Sequence, residues 1–173
     1  MPIPLHISPR IIPSIASLYN DVNRIFMEYI DNAIDSAEEF YDERTNSYSK
    51  PIEITLSIQG DNYRSGKVKI LDNCFGITNF TKVVKSVGNS DKKAQPWTNG
   101  QFGYGIYSFM AACSRMEITS KSEHGNALHI PIEKDQFNTD KQDDVSFPDP
   151  KEDKKFEFTS GTKISLLNFE KHS

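Results

Sequence analysis

Three polar side chains raise the question of chemistry first. Glu28, Asn32 and Asp35, within "FMEYIDNAIDSA", stand at i, i+4 and i+7. At about 100° per residue they lie within about 60° of one another, one stripe along a helix. A solvated face produces such a stripe in many amphipathic helices. Asparagine fits that account poorly, because it competes for backbone hydrogen bonds and weakens a helix interior. A carboxylate and an amide stacked one turn apart can instead hold a water and a metal ion.

Two further stretches invite the same question. "KILDNCFGI" ends a strand-like run in Asp72 and turns at Gly76. Asp72 is either an Asx-turn residue or a carboxylate on a pocket floor, accepting from an exocyclic amine such as that of adenine. Buried, that acceptor needs a partner. "GQFGYGIYSFMAA" places Gly100, Gly103 and Gly105 in six positions, just before a predicted helix from about Ile106 to Cys113. Fixed glycines cost backbone entropy and need a reason. Packing or a tight turn is one reason; a phosphate held by free N–H groups at a helix start is another. No Lys-Ser/Thr follows the last glycine and no strand leads into the cluster, which excludes a Walker loop and a dinucleotide fingerprint.

The elements that must position these residues follow from periodicity. Pro13 suits the first turn of a helix. Residues 21–40 read as a long amphipathic helix, with Val22, Phe26, Ile30, Ala33 and Ala37 on the face opposite the polar stripe; "RTNSYSK" breaks it. "IEITLSI" and "KVKIL" alternate as adjacent antiparallel strands, and "NFTKVVKSV" reads as a short helix capped by Thr78 or Asn79. Residues 88–99 carry turn and breaker types and predict a mobile loop. "RMEITSK", "NALHIPI" and the run through Gly161–Thr162 supply further strands. Residues 133–155 hold eight acidic side chains and five lysines, a charged insertion expected to bury little. Interleaved helices and antiparallel strands predict an α+β two-layer sandwich.

Bulk properties bound the rest. The 173 residues fit one domain with a real core. No apolar run approaches a membrane span, and "MPIPLHISPR" lacks the apolar stretch of a signal peptide. The net charge of -4 argues against a dedicated nucleic-acid module. Cys74 and Cys113 form no metal-spaced pair, and His6, His124, His129 and His172 show no ligand spacing. A reduced, cytoplasmic setting is expected.

Taken in order, "FMEYIDNAIDSA", "DNCFG", "GQFGYG" and "SGT" resemble the N box and three glycine-containing boxes of the GHKL ATPase superfamily. That group includes the ATPase component of DNA gyrase, heat-shock chaperone ATPases, MutL, the MORC proteins and the histidine kinases. The resemblance runs from about residue 21 to 168 and looks most like the type IIB topoisomerase, MORC and chaperone branch. It implies a Bergerat-type fold, with helices on one face of a mixed, mostly antiparallel sheet and ATP lying between them.

By this resemblance Glu28 matches the general base that activates the attacking water, and Asn32 the Mg²⁺ ligand. Asp72 matches the adenine-reading carboxylate, with Gly76, Ile77 and Thr162 around the same ring. Gly103 and Gly105 match the phosphate cradle, with Gly100, Gln101, Phe102 and Tyr104 beside them. Lys92 and Lys93 fall on the lid implied near 88–102, and Asp35 matches a supporting acid. Glu28 favours hydrolysis, since histidine kinases generally lack a glutamate there. A histidine-kinase-like phosphotransfer domain and a non-hydrolysing nucleotide sensor remain the alternatives. One departure is plain: Cys74 occupies the first glycine position of the usual Asp-x-Gly-x-Gly. The resemblance further implies ATP-dependent homodimerisation, a downstream transducer-type domain in a longer protein (the chain being its N-terminal part), a DNA or protein client and no membrane partner. In a eukaryote the expected setting is nuclear.

Overall fold

The computed structural model describes residues 8–60, 65–85, 105–141 and 145–170. The predicted lid and the cradle positions Lys92, Lys93, Gly100, Gln101, Phe102, Gly103 and Tyr104 lie outside the described residues.

Helix α1 spans Ile11–Ala16, and α2 spans Val22–Glu38. Asp21 caps α2 by accepting from the Asn23 N–H at 2.9 Å, satisfying one of the donors a helix start leaves free. A small hairpin follows, β1 (Tyr41–Asp42) against β2 (Ser47–Tyr48). Asn46 turns it at a φ of 51° and accepts from the Tyr41 hydroxyl at 2.6 Å. The main sheet comprises β3 (Ile54–Gln59), β4 (Lys67–Asp72), β5 (Cys113–Lys121), β6 (Leu128–Glu133), β7 (Lys151–Glu152) and β8 (Gly161–Phe169). Its order is β3-β4-β8-β5-β6-β7, and each pairing among the described residues is antiparallel. Helix α3 (Phe80–Lys85) lies between β4 and the 3₁₀ turn Gly105–Ala111. The architecture is the expected α+β layer pair.

Strand register sorts the two faces. Ile70 pairs with Ile164, which pairs with Ile118, which pairs with Ile130; Val68, Leu166, Met116 and Ile132 form the next row. These rows join Ile12, Ile25, Tyr29, Phe80, Val84 and Phe109 in one core. Side chains alternate across a strand, so the opposite face carries Lys69, Glu117, Ser165, Lys163 and Thr119. Among the described residues no helix is long and apolar enough to cross a membrane.

The structure corrects three expectations. The stretch 133–155 does bury apolar surface: Phe137, in the 3₁₀ turn Lys134–Phe137, is 1% exposed, and Val145 and Phe147 pack against the core. The helix expected to run to Cys113 is a 3₁₀ turn ending at Ala111, and Cys113 opens β5. Within that turn the Tyr29 hydroxyl donates to Ile106 O at 3.1 Å and accepts from Phe109 N at 3.2 Å. The third correction concerns α2. Its buried residues are Ile25, Tyr29, Ala33, Asp35 and Ala37, so the Glu28–Asn32–Asp35 stripe borders the buried face instead of opposing it. Asp35 is itself buried.

Candidate functional site

Sheet topology carries the site. Because β4 and β5 both run antiparallel to β8, the end of β4, the end of β5 and the start of β8 meet at one place. Ser120 pairs with Thr162 and Lys121 with Gly161, one register beyond Leu71 opposite Lys163. Asp72, Ser120 and Thr162 share the parity of Ile70, Ile118 and Ile164, which directs them to the helix-bearing side.

Asp72 is buried there at 6% exposure. Its Oδ1 accepts from Cys74 N at 2.9 Å and from Thr162 N at 3.2 Å. Burial pushes its carboxyl above the usual carboxylate range, and those two N–H groups, the Cys74 thiol and the Lys50 charge hold it back in part. Ser120, 1% exposed, accepts from Ile77 N at 2.8 Å, donates to Gly161 O at 2.8 Å, and lies 2.8 Å from Thr162 Oγ1. Asp72, Gly76, Ile77 and Thr162 are thus brought together.

The turn after β4 is tight enough to demand glycine. Gly76 has a φ of 75°, and a Cβ there would stand 2.1 Å from Lys121 O. Gly161, at a φ of 141°, would place a Cβ 2.1 Å from Asp72 O. Cys74 is fully buried, its Sγ 3.7 Å from Ala33 O of α2, and its thiol also hydrogen-bonds the Asp72 carboxylate. The side chain that departs from the family motif therefore stands between Asp72 and α2. Phe75 stacks on Phe40 at 3.9 Å between centroids, tying the turn to the segment that leads into the hairpin. The Lys50 ammonium caps Phe40 at 4.4 Å and donates to Asn73 O.

Helix α2 connects this floor to a second group. Ala33 touches Cys74, while Glu28 meets Gly105, whose Cβ if present would lie 2.6 Å from Glu28 Oε2. Five residues of helix, about 7.5 Å, separate those contacts. Tyr19 donates to Glu28 Oε1 at 3.1 Å. Burial and the Glu28 charge push the Tyr19 phenol up to about 12, so it remains a donor at neutral pH. Asn32 lies between the two contacts on α2, exposed. Its amide oxygen is the hard donor type that Mg²⁺ accepts. Among the described residues no group of three or more His, Cys, Asp or Glu is arranged to hold a metal.

Sequence reasoning passed over Ser120, Tyr19 and Tyr29. Ser120 did leave a signal: Met116, Ile118 and Ser120 share one side of β5, and a serine ending an apolar row marks a polar site. Tyr19 and Tyr29 left none, since each looks like an ordinary apolar helix-face residue.

The family model for the histidine kinase-, DNA gyrase B- and HSP90-like ATPases matches residues 19–163. The chain is also 28% identical over 171 residues to chaperone protein HtpG of Rickettsia rickettsii (strain Sheila Smith), covering 88% of this chain and 25% of that protein. HtpG of Rickettsia massiliae (strain Mtu5) matches with the same identity and coverage. The chain therefore spans about a quarter of the length of these curated relatives. From the fold, the converging strand ends and the matched span, this chain belongs to the histidine kinase-, DNA gyrase B- and HSP90-like ATPase family.

Proposed function

We propose that this chain binds ATP between α2 and the converging ends of β4, β5 and β8, and hydrolyses it with Glu28 as general base. Asp72 receives the adenine amine, and Gly76, Ile77 and Thr162 surround the ring. Gly105 approaches the phosphates together with Gly100, Gln101, Phe102, Gly103 and Tyr104. Asn32 would hold Mg²⁺, which supplies charge neutralisation to the triphosphate. Lys92 on a closing lid, and pairing of two copies on ATP binding, complete the proposal.

The observation that carries it is the buried Asp72 carboxylate. Two backbone N–H groups engage one of its oxygens and the Cys74 thiol bonds the carboxylate too, yet its two oxygens have lone pairs for a further donor, from which a buried carboxylate gains. Family membership supports ATP as the source of that donor. Hydrolysis of a phosphoanhydride needs positioning and charge stabilisation more than covalent help. Glu28 suits the remaining task, since its carboxylate is oriented by Tyr19 and faces a glycine that leaves it room. A base must reach the water within hydrogen-bond distance.

Glu28→Ala tests the assignment. It is expected to bind ATP with little change while phosphate release drops by about 100-fold or more. Hydrolysis at the parental rate would remove Glu28 from the role. Transfer of label to a protein histidine would point to the phosphotransfer alternative.

A further inference from the structure

A count of hydrogens around Ser120 constrains the pocket floor more tightly than its residue types do. The Ser120 hydroxyl has one proton and two lone pairs, and three polar atoms stand 2.8 Å away: Ile77 N, Gly161 O and Thr162 Oγ1. Ile77 N can only donate, and Gly161 O can only accept. The single Ser120 proton therefore goes to Gly161 O, and the contact with Thr162 has a hydrogen only if the Thr162 hydroxyl donates it. Any other assignment sets two oxygen lone pairs face to face at 2.8 Å in a site that is 1% exposed.

We infer that Ser120 is a specificity-determining residue: by taking the Thr162 proton it turns that hydroxyl into an acceptor toward the ligand. Asp72 beside it contributes carboxylate lone pairs, and its Oδ1 already accepts the Thr162 N–H. The floor is then built from acceptors alone. In direct contact it favours a purine carrying a 6-amino group and rejects a 6-oxo purine, whose own acceptor would meet unpaired lone pairs. The inference rests on the reading of this pocket as a nucleotide site, and goes beyond it by naming what fixes the proton direction.

The test is a ratio. Dissociation constants for non-hydrolysable ATP and GTP analogues are measured by calorimetry for the wild-type chain, Ser120→Ala and Ser120→Thr. Removing the Ser120 oxygen frees the Thr162 proton to turn toward the ligand, so the preference for ATP over GTP falls by about tenfold. Ser120→Thr keeps the hydroxyl and restores the preference. A merely structural role would weaken both nucleotides alike. Thr162→Val deletes the oriented lone pair itself, predicts the same fall, and carries the test if Ser120→Ala does not fold. A folded Ser120→Ala protein with an unchanged ratio and intact ATP binding overturns the role of Ser120 alone. A wild-type chain that binds neither analogue overturns the pocket reading and the inference together.

Discussion

Tyr19 and Glu28, nine residues apart on either side of the α2 cap, are joined by a 3.1 Å hydrogen bond from phenol to carboxylate. The Arg24 guanidinium lies 5.5 Å over the Tyr19 ring, so the donor is held from two directions. Tyr19→Phe removes the donor and keeps the ring. Expected are a roughly tenfold lower kcat and little change in KM, because the carboxylate loses the donor that orients it. Steady-state phosphate release over a range of ATP concentrations checks both. A loss shared between kcat and KM would mean that Tyr19 only supports the fold.

Gly105 and Gly76 make an instructive pair. A Cβ at Gly105 meets the tip of Glu28 at 2.6 Å, whereas one at Gly76 meets the backbone carbonyl of Lys121 at 2.1 Å from a φ of 75°. A flexible side chain can yield and a strand end cannot. Gly105→Ala is expected to fold with a thermal midpoint close to the parent and to lose hydrolysis through the displaced carboxylate. Gly76→Ala is expected to cost about 3 kcal/mol or more. Thermal melts set beside phosphate release separate the two.

At Asp72 two pH effects of opposite sign are expected. Its carboxyl is raised by burial, so the folded chain binds the proton more tightly than the unfolded one. The stability contribution is therefore full below the usual carboxylate value and is lost as pH rises through the raised one. Nucleotide affinity runs the other way, because protonation removes an acceptor from the floor. Asp72→Asn keeps an oxygen for Cys74 N and Thr162 N but presents its NH₂ to the ligand. Calorimetry should find ATP binding weakened by about 100-fold while the melt survives.

Much of this molecule is legible in its residue pattern, for identifiable reasons. The strands β4, β5 and β8 alternate because one face is apolar core and the other polar, and α2 shows its period because it lies on that core. Asp72, Gly76 and Thr162 stand out because a carboxylate and glycines at strand ends are unusual types. The hairpin Tyr41–Tyr48 escapes notice because its strands are two residues each, too short for a period. Phe137 is hidden among charges, as one aromatic in a polar run carries no pattern. The 3₁₀ turn Gly105–Ala111 is hydrogen-bonded by the hydroxyl of Tyr29, 80 residues before Phe109 in the chain, and no local rule reads that contact.

Both thiols should be inert in the folded chain. Cys74 and Cys113 are fully buried, and burial pushes each from 9.0 to about 12. The native chain thus retains protons that the unfolded chain releases. This stability contribution is present below pH 9 and lost as pH rises toward 12. A disulfide-exchange reagent at pH 8 should find no reactive thiol in the native chain and two after denaturation. Rapid native labelling would contradict the packing of Cys74 against α2.

The central claim is a nucleotide lying between α2 and the three strand ends. Amide resonances of the isotopically labelled chain, followed during titration with a non-hydrolysable ATP analogue and Mg²⁺, test it most directly. The predicted result is saturable movement of Cys74, Ile77, Gly105 and Thr162, with Lys69, Glu117 and Lys163 on the opposite sheet face unmoved. Shifts confined to that opposite face, or none at any amide, would contradict it.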